Sequence, residues 1–201
     1  MQTALIALAA YLLGSISFAI VTSKVMRLPD PRSYGSKNPG ATNVLRSGNR
    51  IAAALTLAGD AGKGWLAVWL AALYTGEVPA AGVDAALAGL CAYLGHLFPV
   101  FHGFRGGKGV ATAAGVLIGV DPWLGLATLI TFGAIVAFFR MVSLASIFAA
   151  FFAAFYAFWL FGARPVTAAV SVMALLVIAR HHANIGRILR GEESKLGRKS
   201  A

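Results

Sequence analysis

The sequence predicts an all-α, polytopic integral membrane protein with seven transmembrane helices, and three observations carry that reading. Of 201 residues, 59% are hydrophobic and 12% charged, with mean hydropathy +0.77, a balance that removes the chain from the soluble class. Apolar segments recur along its whole length with no long hydrophilic stretch between them, so residues 1–201 read as one transmembrane domain. The basic residues gather in the polar connections, which sets an orientation. A net charge of +10 would suggest nucleic acid in a soluble chain; here it is read by position, and no nucleic-acid partner is expected.

The first apolar segment, residues 3 to 23, lacks the basic start of a signal peptide and is long enough to span, so it is expected as a retained first helix. Others run from 51 to 75, 79 to 100, 109 to 120, 122 to 139, 142 to 162 and 165 to 180. The fourth is short, since its helix would reach only about 18 Å against a hydrocarbon core of about 30 Å. Charge decides in its favour. If all seven cross, 15 of the 17 Lys and Arg lie on one side with the C-terminal tail, Arg164 lies opposite and Lys63 sits within a helix. If the fourth does not cross, the split becomes nine against seven. The positive-inside rule therefore places the N-terminus outside and the C-terminus in the cytoplasm. The short fourth helix then implies a re-entrant cytoplasmic loop before it, and non-helical backbone at that depth suggests a site. The single cysteine, Cys91, excludes an intrachain disulfide and reads as packing.

Three polar stretches interrupt this pattern. In RSYGSKNPGATNVLR, residues 32 to 46, Pro39 fits the first position of a short helix with Asn38 as its cap. That puts the amides of Gly40, Ala41 and Thr42 at a helix start, where an anion is favoured. Thr42, Asn43 and Arg46 share one face. The same stretch also reads as a capped basic loop resting on lipid headgroups. The second stretch, GHLFPVFHGFRGGKGVAT at 95 to 112, sets Gly106, Gly107 and Gly109 around Lys108, allowing close approach of a ligand before another helix start. It is not a Walker A loop, because His102 and Gly109 occupy the positions of the required Gly and Ser or Thr. In the third, ARHHANIGRILRGEESKLG at 179 to 197, His181 and Asn184 stand one above the other on a helix face while His182 points elsewhere. Helix-end and headgroup electrostatics account for Arg187 and Arg190, but not for the His181 and Asn184 pair.

Asp60 and Lys63, one turn apart, read as a mutually neutralising pair, with Asp60 also able to orient a cation from a loop. Glu77, Asp84 and Asp121 read as outer surface residues, and the Trp and Phe side chains as lipid-facing. The combined inventory suits anions, with more than one phosphate-like group accommodated. It is poor for metal chemistry, and neither metal nor other cofactor is expected.

The runs GSKNPGATNVLR (35 to 46), GHLFPVFHGFRGGKGVAT (95 to 112) and HHANIGRILRGEESK (181 to 195), in that order with DAGKG at 60 to 64, resemble the bacterial membrane-embedded glycerol-3-phosphate acyltransferases that use acyl phosphate as donor. Pro31 departs from that pattern, standing where an apolar residue is expected between Asp30 and Arg32. The resemblance implies attack of the sn-1 hydroxyl of glycerol 3-phosphate on an acyl phosphate at the inner face of the bacterial cytoplasmic membrane, giving lysophosphatidic acid and inorganic phosphate. On that basis Ser36, Arg46, Lys108, His181 and Asn184 are the expected catalytic set. Asn38, Gly40, Thr42, Asn43, Gly106, Gly107 and Gly109 are expected to bind phosphates, with Asp60, Lys63, His182 and Glu193 in support. His181, oriented by Asn184, stands as base or as substrate-fixing donor, and the donor's own phosphate as the alternative base. No His is followed five positions later by Asp, which excludes an acyltransferase box of that form.

Other classes fit less well. A transporter would need polar residues lining a path outward, yet 122 to 139 and 142 to 162 are nearly all apolar. A CDP-alcohol phosphotransferase would need several helical Asp, and a scaffold leaves the clustered Asn, Ser, His and Gly unexplained.

Overall fold

The computed structural model describes residues 1–197, and among these every regular element is helical. The first apolar segment forms two helices rather than one: α1 (Gln2–Gly14) and α2 (Phe18–Val25) meet at a 41° bend. The bend falls at two serines, and the Ser15 hydroxyl competes with the helical ladder. Ser15 Oγ returns to the Tyr11 carbonyl at 2.9 Å, and the Ile20 amide bonds to Ser17 O rather than continuing to Ile16 O. Lys63 Nζ takes the carbonyl so released, at 2.6 Å.

A five-residue helix, α3 (Ala41–Leu45), precedes the long α4 (Arg50–Thr75), which Asn49 caps by accepting from the Ala52 amide at 2.9 Å. Then follow α5 (Val83–Leu97), a 3-10 turn (Val100–His102), α6 (Val110–Val120), α7 (Pro122–Phe139), α8 (Val142–Phe161), α9 (Pro165–Arg180) and α10 (His182–Leu189). Asp121, expected only as a surface residue, caps a helix: its carboxylate accepts the Trp123 and Leu124 amides at 2.8 and 2.9 Å, with Pro122 at the first position of α7.

α5 as Val83–His102, α7 and α8 are each long and apolar enough to cross a membrane, and counting α1 with α2 and α9 with α10 as bent spans brings the number to five. The long α4 carries Asp60 and Lys63 in its middle, and α6 has only 11 residues.

Glycines let two pairs of helices touch. A Cβ at Gly14 would stand 2.0 Å from Ala92 O and one at Gly95 2.2 Å from Tyr11 O, so α1 and α5 meet backbone to backbone. At the α4 and α6 crossing the same holds for Gly115 against Ala61 O (1.8 Å) and Gly64 against Thr112 O (2.4 Å). Small residues at such crossings gain van der Waals contact where lipid offers no hydrophobic drive. The other half of the bundle is built differently. Along α8, Ala145, Ala149, Ala153 and Ala157 are buried, while Phe151, Phe155, Phe158 and Trp159 are exposed.

Gly115→Val should force the α4 and α6 backbones apart and lower stability by about 1–3 kcal/mol. Gly133→Ala, which meets nothing within 4 Å, should be neutral or stabilising by up to about 1 kcal/mol. Thermal unfolding of the two variants in detergent separates these outcomes.

Candidate active site

The first polar stretch is held together by Asn43. Its Oδ1 accepts the Ser36 amide at 3.0 Å, and its Nδ2 donates to Pro31 O at 2.6 Å and Tyr34 O at 3.2 Å. Both ends of the side-chain amide are thus committed to the loop, and Asn43 is buried. Pro31 is itself fully buried, so it fills the apolar role that the sequence reading asked of that position. Gly35 lies at φ +56, where a Cβ would run into Asn43 Oδ1. The short helix begins two residues later than expected. Gly40, in extended conformation, is its cap, and Asn38 and Pro39 lie before it. The reason is the neighbouring segment: Pro39 is buried with its carbonyl against Gly107, so it closes the loop instead of opening the helix.

The glycine stretch folds back on the end of α5. The Gly106 and Gly107 amides donate to Leu97 O (3.1 Å) and His96 O (3.2 Å), which the helix leaves open. The carbonyls of the same two glycines accept from the Arg180 guanidinium, Nη2 reaching them at 3.0 and 3.1 Å. Gly109, at φ +80, turns the chain into α6 against the Tyr93 ring, and the Tyr93 hydroxyl donates to Lys108 O at 3.3 Å. Lys108 then projects toward α10.

There the third stretch receives it. Lys108 Nζ donates to Asn184 Oδ1; Asn184 Nδ2 donates to Glu193 Oε1 at 2.6 Å; Arg187 Nε reaches Glu193 Oε2 at 2.7 Å. Burial lowers the Lys108 ammonium and the Glu193 carboxylate partly offsets this, leaving it at about 8. Burial raises Glu193, but hydrogen bonds from Asn184 and Arg187 outweigh it and hold the carboxyl below its usual range. His181 is buried and its Nδ1 lies 2.7 Å from Val177 O. A carbonyl only accepts, so Nδ1 carries the hydrogen and Nε2 is left with a lone pair. Arg46 Nη2 meets Ser194 Oγ at 3.5 Å, joining the first stretch to the tail.

All three stretches open onto one cavity of about 1760 Å³. Its polar end is lined by Ser36, Asn38, Gly40, Thr42, Asn43 and Arg46 from the first stretch. Lys108, Gly109, His181, Asn184 and Glu193 complete that end, with Asp60 on its wall. Its other end runs between α6, α7, α8 and α9 past Leu117, Phe132, Ala149, Ala153, Val170 and Met173. Gly106, Gly107 and Lys63 stand behind the wall, and His182 is exposed and takes no part in it. A polar mouth continuous with an apolar channel can hold an amphiphile with an anionic head.

A family model described as glycerol-3-phosphate acyltransferase matches residues 4–191. The chain belongs to the glycerol-3-phosphate acyltransferase family. The glycerol-3-phosphate acyltransferase of Ralstonia nicotianae is 58% identical over 197 residues, covering 98% of this chain and 95% of that one. That of Burkholderia pseudomallei strain K96243 is 59% identical over 203 residues, covering 99% and 98%. Among solved structures, PlsY (YgiH), an integral membrane glycerol 3-phosphate acyltransferase, superposes in its glycerol 3-phosphate form with TM-score 0.90 at 37% identity, covering 98% of this chain and 96% of that one. Its lysophosphatidic acid form gives 0.89 at 36%, with the same coverage.

Two residues of this candidate site escaped the sequence reading. Arg180 looks like an ordinary helix-end cation, yet it clamps the glycine carbonyls and lines the cavity. His96 lies within the second polar stretch but pairs with Asp60 of another helix, a contact that no local spacing reveals.

Replacing Asn43 by alanine removes three hydrogen bonds at a buried site, each worth about 1 kcal/mol. In Asn43→Ala the Ser36 amide should exchange with solvent at least about tenfold faster than in wild type, while amides in α7 and α8 keep their rates. Hydrogen-exchange mass spectrometry of the two proteins provides the check.

Proposed function

We propose that the chain transfers a fatty acyl group from acyl phosphate to the sn-1 hydroxyl of glycerol 3-phosphate, giving lysophosphatidic acid and inorganic phosphate. The observation that carries this reading is the one cavity in which a polar mouth lined by Arg46 and Lys108 continues into an apolar channel between four helices. Both substrates are anions and one carries an acyl tail, which matches the two ends. The glycerol 3-phosphate and lysophosphatidic acid forms of the PlsY neighbours support acceptor and product.

In the proposed reaction the sn-1 oxygen attacks the acyl carbonyl carbon, the bond from that carbon to the phosphate oxygen breaks, and the hydroxyl proton passes to a base. Arg46 and Lys108 hold the phosphates and stabilise the developing negative charge, with Ser36, Asn38 and the amides of Ala41 and Thr42 as further donors. Those two amides have no backbone partner among the described residues. His181 Nε2 is the protein atom suited to take the proton; an oxygen of the departing phosphate is the other acceptor. An acyl phosphate is already activated, so positioning and electrostatics supply most of the acceleration. Asn184 and Glu193 keep Lys108 extended across the mouth.

The bilayer arrangement belongs to the same proposal. With α4 and α6 crossing as well, the chain makes seven spans, the polar mouth faces the cytoplasm, and the protein resides in the bacterial inner membrane with its N-terminus outside. Asp60 and Lys63 neutralise one another within α4 (2.9 Å), which reduces the cost of that crossing.

Purified protein given palmitoyl phosphate and glycerol 3-phosphate should release inorganic phosphate, and should not accept palmitoyl-CoA; product from the thioester alone would change the donor class. Arg46→Ala and Lys108→Ala should each lower turnover by about 10²–10³-fold with folded protein retained.

Lys108 also sets a pH dependence. Its proton is held below about 8 and lost above it, so phosphate capture weakens as pH rises. The alkaline limb of kcat/KM, which reports the free enzyme, should fall near pH 8. Lys108→Arg should move it upward. Glu193→Gln removes a charge that supports the ammonium and should move it downward.

A further inference from the structure

Beside the glycine stretch lie three ionisable side chains that the proposed reaction does not use, Asp60 and His96 on the cavity wall and Lys63 behind it. Asp60, Lys63 and His96 are 2%, 3% and 6% exposed. Asp60 Oδ1 is 2.9 Å from Lys63 Nζ and 3.5 Å from His96 Nδ1, so one carboxylate oxygen lies between a cation on its own helix and an imidazole on α5. Lys63 is tied further, to Ile16 O in the bend between α1 and α2. The far edge of His96 meets the second polar stretch: a Cβ on Gly107 would stand 2.3 Å from Nε2. Gly107 is thus seated between the His96 ring on one side and the Arg180 guanidinium on its carbonyl.

We infer that His96, oriented by Asp60, is a positioning residue that sets how residues 106 to 109 carry Lys108 to a substrate phosphate. The inference rests on the proposal that this stretch holds a phosphate. Asp60 favours the tautomer with hydrogen on Nδ1, which fixes the ring about its long axis and brings the Nε2 edge under Gly107. A buried ion pair that contributed to stability alone would not require a third partner facing a loop. Here the charge of Asp60 is already balanced by Lys63, so His96 can be changed without leaving either ion unpaired. A ring so placed acts on how the phosphate is bound; it touches no reacting atom.

The test uses full-length protein in detergent with palmitoyl phosphate and glycerol 3-phosphate varied in turn. His96→Ala should raise KM for one of the two substrates at least tenfold with kcat within threefold of wild type. Gly107→Ala should do the same, because its methyl meets the His96 ring. The double variant should be no worse than the poorer single one, since removing the ring makes room for the methyl. Both KM values within threefold of wild type in His96→Ala, a loss confined to kcat, or effects of the two changes that multiply would each overturn the inference.

A second measurement needs neither turnover nor a His96 variant. In protein labelled with 15N-histidine, His96 should read as the Nδ1–H tautomer and shift when inorganic phosphate is added. Asp60→Leu/Lys63→Met, which removes both charges together, should release it to a tautomer mixture. An Nε2–H ring, or a His96 signal indifferent to phosphate, overturns the inference. Wild-type protein that uses neither palmitoyl phosphate nor palmitoyl-CoA would instead end the proposed function, and the labelled-histidine readings would stand apart from that failure.

Discussion

Buried peptide groups that leave helical geometry must find their hydrogen bonds within the protein, and this constraint shapes the centre of the molecule. The glycine stretch meets it from two directions. Its amides take the open carbonyls at the end of α5, and its carbonyls take the Arg180 guanidinium. Only glycine lets the chain lie this close, since a Cβ at 106 would fall 2.0 Å from His96 O. With those groups satisfied, Lys108 is carried to a defined place across from α10, and the rest of the polar mouth forms around it. The cation is kept from folding onto the nearest anion because Asn184 stands between it and Glu193.

The first stretch obeys the same logic with a side chain in place of a helix end. Asn43 offers one acceptor and two donor hydrogens, and the loop uses all three. Lys37 sits in this loop at φ +55, a conformation that costs a non-glycine residue energy and requires an outside hold. Asn43 supplies that hold, and Pro39 rests its carbonyl against Gly107. The first and second polar stretches therefore meet directly.

Much of this was legible in the sequence, for reasons that differ by residue. The helical class followed from apolar segments whose length and composition admit few alternatives, and the short helix at 110–120 could be read because polar residues bound it closely. Local spacing also found the Asp60 and Lys63 pair. It failed where the partner lies on another element. Ser15 and Ser17 look harmless in an apolar run, yet a lysine 47 residues away makes the bend tolerable. Asn38 has the chemistry of a cap, but the packing of Pro39 moved the helix start to Gly40. Arg180 and His96 are read correctly only once α5 and α9 are seen to flank one loop. Asn43 was expected to face substrate on the strength of its spacing from Arg46; its bonds to the loop became visible only with the backbone turned around it.

The buried stripe of α8 sets the bore of the apolar channel by omission. Because Ala149 and Ala153 present only methyl groups to the channel while Phe151, Phe155 and Phe158 of the same helix face outward, the width of the channel is defined by atoms that α8 lacks. Such a wall can be thickened at a single position without disturbing the lipid-facing side, so the gauge of the passage and the helix's fit to the bilayer are free to diverge independently.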